Sequence, residues 1–508
     1  MMSNNRILAG TSVMIGMFVL LTCSTATAKY VKLFGKECNV LGYASQKVQY
    51  GFHDDFNSYE GFNEALNTLF LEGDIGLTDS LRLYGSGKLT SDLIYQVIQD
   101  EDQWTRKQFD QSRDKLNIDD EYWQILNELH ATWVVDRLMI RAGKQIVSWG
   151  QVLGASALSQ FNPFDLRRFQ GVDLEVAQIP IWLLRTDYSM PVKPGFLTDL
   201  TLQFVFNPNA DFIPSQSFAT GNDVAGIWAL HLPVELFPGM VARTGSAAMN
   251  IQEREEWSEG HEFGFRVQGM TEGGDMMTLN AFYGYANDPV TILDGLATMA
   301  SPPSFVDGKT VIHPVMDGYY PLQRFVGFTY FTEILPLRFS FAGGVAPAVT
   351  FELRYDFENT YAFANPADPF GLMYMEDTSD AVSAILNVDY KVKIALLNPK
   401  AYFQFVGQLN YDQIMDSFVR SQQLNFRGYP ANYTTSLQVM TTYLHGKLMP
   451  LFTWQRDLYA QTDMFGGSLD YSPNSRWTYS VALQTFRNMD GPFEYKDYVY
   501  FKIKYKWG

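Results

Sequence analysis

The densest group of residues able to act on a solute lies between Arg141 and Arg168. It reads Arg141-Ala-Gly-Lys-Gln-Ile-Val-Ser-Trp-Gly150 and resumes at Asn162-Pro-Phe-Asp-Leu-Arg-Arg168. Arg141, Lys144, Arg167 and Arg168 supply fixed positive charge, Asp165 a negative charge, Gln145 a neutral donor and acceptor, and Trp149 an aromatic face. Such a set can sort solutes by charge, as charged rings do in pores. A structural reading has equal standing. Asn162-Pro163 is a turn signal. Asp165 pairs with Arg167 or Arg168, or caps a short helix. The stretch between, apolar at Val152, Leu153 and Leu158, then forms a plug that stiffens its surroundings.

Enzyme patterns fare poorly. His261-Glu262 lacks the second His of a zinc-protease helix, and no Gly-x-Ser-x-Gly elbow or phosphate-cradling glycine loop occurs. His53, His130, His261 and His313 read as polar rim or lumen residues. The two cysteines, Cys23 and Cys38, form neither a haem-attachment motif nor a zinc spacing, so no cofactor and no metal is expected.

These residues need a frame. The chain has 508 residues, 46% apolar, 18% charged and 15% aromatic, with a formal charge of −17. An ordinary soluble protein is about a quarter charged. Glycine, aromatics and uncharged polar residues replace the missing charge, which argues against disorder. The acidic balance argues against a nucleic-acid partner. Residues 1–28 read as an export signal: Arg6, an apolar run from Ile7 to Leu21, and a small-residue cleavage site at Ala26-Thr27-Ala28. A lipoprotein at Cys23 is disfavoured, because Leu20-Leu21-Thr22 lacks the usual small residue. Residues 29–508 then form one domain, and no later run of 18 apolar residues suggests a transmembrane helix.

An exported chain of this kind is either soluble or a β-barrel, and period-two alternation separates the two. Leu200, Leu202, Phe204 and Phe206 alternate with Thr201, Gln203, Val205 and Asn207. Val499, Phe501, Ile503, Tyr505 and Trp507 alternate with Tyr500, Lys502, Lys504 and Lys506. Strands of about ten residues with aromatic ends fit a membrane barrel. Phe501, Tyr505 and Trp507 are the expected assembly signal, although Gly508 rather than an aromatic is last.

Short links fall near Thr78-Asp79, Asp136, Pro191 to Thr198, Gly273-Gly274, Ile334 to Pro336, Leu396 to Pro399, His445-Gly446 and Ser472 to Ser475, with longer links between them. Short periplasmic turns alternating with long outer loops are the barrel signature. The pattern gives an all-β, single antiparallel transmembrane barrel of about 18 strands, with 16 as the alternative. The larger number requires Leu337 to Phe357 to be one strand. Arg82, Glu128, His130, Glu262 and Arg266 are then lumen-facing candidates. Arg141, Lys144, Gln145, Trp149, Asp165, Arg167 and Arg168 line a constriction formed by an inward-folded third loop.

Gly143-Lys-Gln-Ile-Val-Ser-Trp-Gly150 followed by Asn162-Pro-Phe-Asp165 resembles the exported bacterial proteins of the domain-of-unknown-function 1302 family. Gln151 stands where an acidic residue often follows the Trp-Gly. The resemblance implies an outer-membrane porin-like barrel with no settled substrate and no catalytic residues. The expected function is passive or facilitated uptake of small solutes across the bacterial outer membrane. The alternative is a barrel scaffold that sheaths an electron-transfer or export partner. Outer-membrane lipid and lipopolysaccharide are the expected surroundings, and homo-oligomerisation is left open. Acidic clusters at Asp54-Asp55, Asp100-Glu101-Asp102, Asp119-Asp120-Glu121 and Glu253 to Glu256 read first as solvated faces and second as cation bridges to lipopolysaccharide.

Overall fold

The computed structural model describes residues 29–33, 35–53, 60–94, 118–119, 121–152, 156–166, 177–191, 196–217, 233–237, 240–243, 248–306, 309–340, 343–368, 374–423, 429–488 and 496–507. The export signal lies outside the described residues. Eighteen strands form the wall: β1 (Lys36–Gly51), β2 (Gly61–Gly76), β3 (Leu81–Asp92), β4 (Leu126–Val135), β5 (Leu138–Gln145), β6 (Ile181–Ser189), β7 (Leu197–Asn207), β8 (Glu262–Thr271), β9 (Met276–Tyr285), β10 (Leu322–Glu333), β11 (Ala348–Ala364), β12 (Tyr374–Val392), β13 (Phe403–Ile414), β14 (Asn432–Met440), β15 (Leu448–Asp457), β16 (Asp463–Tyr471), β17 (Trp477–Arg487) and β18 (Tyr498–Trp507). Lys29–Leu33 and Ile118–Asp119 add short pieces at the rims.

Each strand pairs antiparallel with the next, and β18 returns to β1 in a register running from Gly42↔Trp507 to Gly51↔Tyr498. The sheet therefore has no free edge. In hydrocarbon an unpaired backbone amide costs several kcal/mol, so closure is what permits such a sheet to span. Alternation sets the two faces. On β8, Phe263 and Phe265 are exposed while Glu262, Gly264 and Arg266 are buried toward the lumen. On β17, Val481 and Leu483 face out while Ser480, Ala482 and Gln484 face in.

All eight short links lie where turn residues mark them. Asp136, His445 and Gly274 adopt positive φ, which Asp, His and Gly in tight turns tolerate. One boundary is corrected. β11 begins at Ala348, not Leu337, because Leu335–Leu337 forms a 3-10 turn and Gly343 and Gly344 take positive φ, which an extended strand does not allow. β11 instead continues past a bulge near Glu358 to Ala364 and pairs with β12 up to Ala364↔Tyr374. The fourth and fifth outer links pair with each other. Met240–Arg243 lies parallel to Lys309–Ile312, and Ala248–Gln252 lies parallel to Val315–Tyr319.

Candidate functional site: the lumen wall and the third outer link

The third outer link leaves β5 and turns into the barrel. Asn162 pins its base: its Oδ1 accepts from the Val147 amide (2.7 Å), and its Nδ2 donates to the carbonyls of Gln145 (3.1 Å) and Ile179 (3.0 Å). Ser159 Oγ accepts from the amides of Trp149 and Gly150, both at 3.1 Å. Val147, Trp149, Leu158 and Phe161 then pack on inward-facing Ile181 and Leu183 of β6, Val205 of β7, Phe282 of β9 and Phe325 of β10. Phe161 meets Trp149 edge-on at 5.1 Å and Phe282 at 5.0 Å, and Phe282 stacks on Phe325 at 5.1 Å. Burial of large apolar side chains stabilises by about 1.5–3 kcal/mol each, which holds the link against an otherwise polar wall. Gly264 makes the approach possible, since a Cβ there would collide with Phe161 and Trp149.

The tip is fixed by charge. Glu352 on β11 is fully buried; its Oε1 accepts from the Gln151 amide (2.7 Å) and its Oε2 from Ser156 Oγ (2.6 Å). Arg354 Nη1 donates to the Ala157 carbonyl (2.9 Å) and lies over the Phe325 ring at 4.7 Å. The link thus lies along the inner faces of β6 to β11.

The structure distributes the sequence-derived site residues over several roles. Arg141 donates from Nε to Thr132 Oγ1 (3.0 Å) and sits opposite Arg185 on the lumen face. Gln145 is fully buried and donates to the Leu183 carbonyl (3.0 Å), so its amide holds backbone. Lys144 is a correction. It is fully buried in the register row of Leu129 and Trp182 on the outer side of the wall. Its Nζ donates to the carbonyls of Trp123 (3.0 Å) and Leu126 (2.6 Å) beneath the short helix α1 (Tyr122–Ile125). It therefore adds no charge to a lumen rim. Trp149 lies inside the barrel without exposed surface, and its Nε1 donates to Gln203 Oε1 (2.7 Å).

Asp165 is buried and accepts from Gln124 Nε2 (2.7 Å), and Asp165–Leu166 pairs parallel with Gln216–Ser217 of the fourth link. Arg167 and Arg168 lie outside the described residues. Arg82 pairs with Asp74. Glu128 accepts from the Ile146 amide (3.1 Å), and His130 stacks on Tyr84 at 5.1 Å. Glu262 is buried and accepts from Asn207 Nδ2 (2.8 Å) and the Tyr285 amide (3.1 Å). Phe501 and Trp507 occupy the outer face beside the closing seam, where Trp507 covers the space above Gly42.

Sequence reasoning passed over Arg185, Asp187, Glu352, Arg354 and Asp356. The signal was present: Arg-x-Asp on an alternating strand puts both charges on one face. Arg185 donates from Nε (2.7 Å) and Nη2 (3.1 Å) to the two carboxylate oxygens of Asp187, and Arg354 donates from Nε (2.9 Å) and Nη2 (2.5 Å) to Oδ1 of Asp356. Arg254, inside the acidic run Glu253 to Glu256, was also missed. Its guanidinium lies over Tyr285 (4.3 Å) and Phe212 (4.9 Å), 3.6 Å from Glu262. Burial lowers its pKa while Glu262 opposes the shift. Burial likewise raises the Asp211 carboxyl in the same link. Among the described residues no cluster of three or more His, Cys, Asp or Glu side chains is placed to hold a metal.

Residues 42–507 match the profile of a family described as "Protein of unknown function (DUF1302)". The chain belongs to the DUF1302 family. No curated protein matches this DUF1302 chain in sequence. Solved structures similar to it include Pseudomonas aeruginosa OccK5 (OpdH), at 13% identity and TM-score 0.43, covering 92% of this chain and 98% of that one. Acinetobacter baumannii OccAB3 matches at 7% identity and TM-score 0.43, over 92% of this chain and 99% of that one. OmpT, an outer membrane protein of Vibrio cholerae, matches at 7% identity and TM-score 0.37, over 94% and 100%.

Proposed function

We propose that this DUF1302 barrel stands in the bacterial outer membrane as a channel for passive or facilitated uptake of small solutes, with the third outer link narrowing its pore. The observation that carries the reading is the third link itself, fastened by Asn162, the Trp149–Phe161 cluster and Glu352 along a polar inner wall. A link so placed reduces the cross-section of a closed barrel, and the charged side chains beside it sort what passes. The test is swelling of proteoliposomes carrying the refolded barrel, in isotonic sugars and amino acids of increasing size. Swelling with a sharp size limit is expected. Liposomes that respond no faster than protein-free ones would overturn the channel reading.

A further inference from the structure

Three lumen-facing arginines, on β6, β8 and β11, differ in one respect. Arg185 and Arg354 each present the Nε–Nη2 edge of the guanidinium to an aspartate two residues on, Asp187 and Asp356. Arg266 on β8 has Gln268 at that position, and Gln268 Nε2 turns to Met276 Sδ (3.4 Å). Arg266 is 5% exposed, and both Nε and Nη2 lack a hydrogen-bond partner among the described residues. The two acids that act on Arg266 are engaged elsewhere: Asp187 by Arg185 and by Gln203 Nε2 (2.6 Å), and Glu352 by the Gln151 amide and Ser156 Oγ.

The surroundings of that edge are also unsatisfied. Asn280, cross-strand from Arg266, leaves Oδ1 unpartnered, and Thr329, two strands away on β10 in the register row of Gln268, leaves Oγ1 unpartnered; both are buried. The third link roofs this group, with Phe161 and Trp149 over Gly264 and Leu158 over Gly327. A buried, unpaired charge is costly unless something pairs it. The Nε–Nη2 edge is the geometry with which guanidinium grips a planar carboxylate in two parallel bonds.

We propose that Arg266, with Thr329 and Asn280, forms a binding site for the carboxylate of a small anionic solute on the turn side of the third link. This rests on the channel reading and names its substrate class. Arg266 supplies two donors, Thr329 a third, and Asn280 Oδ1 an acceptor for an N–H or O–H elsewhere on the solute. Gln268 leaves the arginine unquenched where its two counterparts are internally neutralised.

The experiment is titration of acetate into the refolded barrel in detergent, followed by saturation-transfer NMR, with ion currents measured separately in bilayers. Wild type is expected to bind acetate saturably. Arg266→Gln should weaken binding about ten- to a hundredfold, the scale of one lost bidentate charged contact. Gln268→Asp should weaken it similarly while keeping the arginine, by giving its edge the acid that Arg185 and Arg354 have. No saturable binding to wild type, or equal affinity in all three folded proteins, overturns the site. A barrel that conducts without binding acetate refutes this proposal alone. A barrel that binds acetate without conducting supports the site and refutes the channel.

Discussion

Glu352→Ala offers a direct perturbation of the third link. Glu352 has no exposed surface, and its two oxygens accept from the Gln151 amide and the Ser156 hydroxyl at 2.7 and 2.6 Å. Hydrogen bonds to a charged group contribute about 1.5–3 kcal/mol each, so the pair anchors the tip by about 3–6 kcal/mol. Arg354 Nη1 on Ala157 and the Trp149–Phe161 packing remain in the variant, which places the loss at the lower end. A loss of about 3 kcal/mol raises the open fraction of the tip roughly a hundredfold. The expected result in planar bilayers is a larger and noisier open-channel current, with faster amide exchange in peptides covering 146–161. Glu352→Gln keeps one carbonyl acceptor and should shift both readings less. Unchanged current, noise and exchange in Glu352→Ala would refute the anchoring argument, because no other contact described at the tip uses the Gln151 amide.

Three further outcomes follow from the same geometry. Gly264→Val should displace Phe161 and Trp149 from the wall and destabilise the link by about 1–3 kcal/mol, the range for overpacking; near-ultraviolet circular dichroism of the Trp149 environment reads it, and an unchanged spectrum counts against the packing. Trp507→Ala removes the ring that covers Gly42 across the closing seam and should slow barrel assembly; refolding followed by heat-modifiable migration checks it, and wild-type kinetics would contradict it. In the last outer link, burial lowers the Lys496 amine to about 7. The unfolded chain therefore binds more protons between that value and the ordinary lysine range, so the link gains stability as pH rises from 7 toward that range, loses it as pH falls back to 7, and changes little below 7. Protection of the Phe486 amide, held by Asp497 Oδ1 at 2.7 Å, should rise from pH 6 to pH 9 and lose that dependence in Lys496→Met. A flat profile in the unmodified protein would refute it.

The wall was legible because a strand's side-chain period is two, and because turn residues such as Gly273-Gly274 and His445-Gly446 carry their own conformational marks. The start of β11 was misread because Leu337 and Phe339 alternate like a strand, while the positive φ of Gly343 and Gly344 breaks it only in three dimensions. Lys144 was misassigned for a similar reason. Its neighbours Arg141 and Gln145 support the lumen face, but α1, which covers Lys144, comes from a link whose path the sequence does not specify. The inward fold of the third link was expected from its apolar residues. Its anchor was not, because Glu352 lies 201 residues from Gln151 and only barrel closure brings them together.

Planar-bilayer recording of the refolded barrel under a salt gradient tests the central claim most directly. The account requires discrete conductance steps with a reversal potential that departs from zero, and a change in step size when the third link is released by Glu352→Ala. A correctly folded barrel that gives no steps in either form would contradict the channel account.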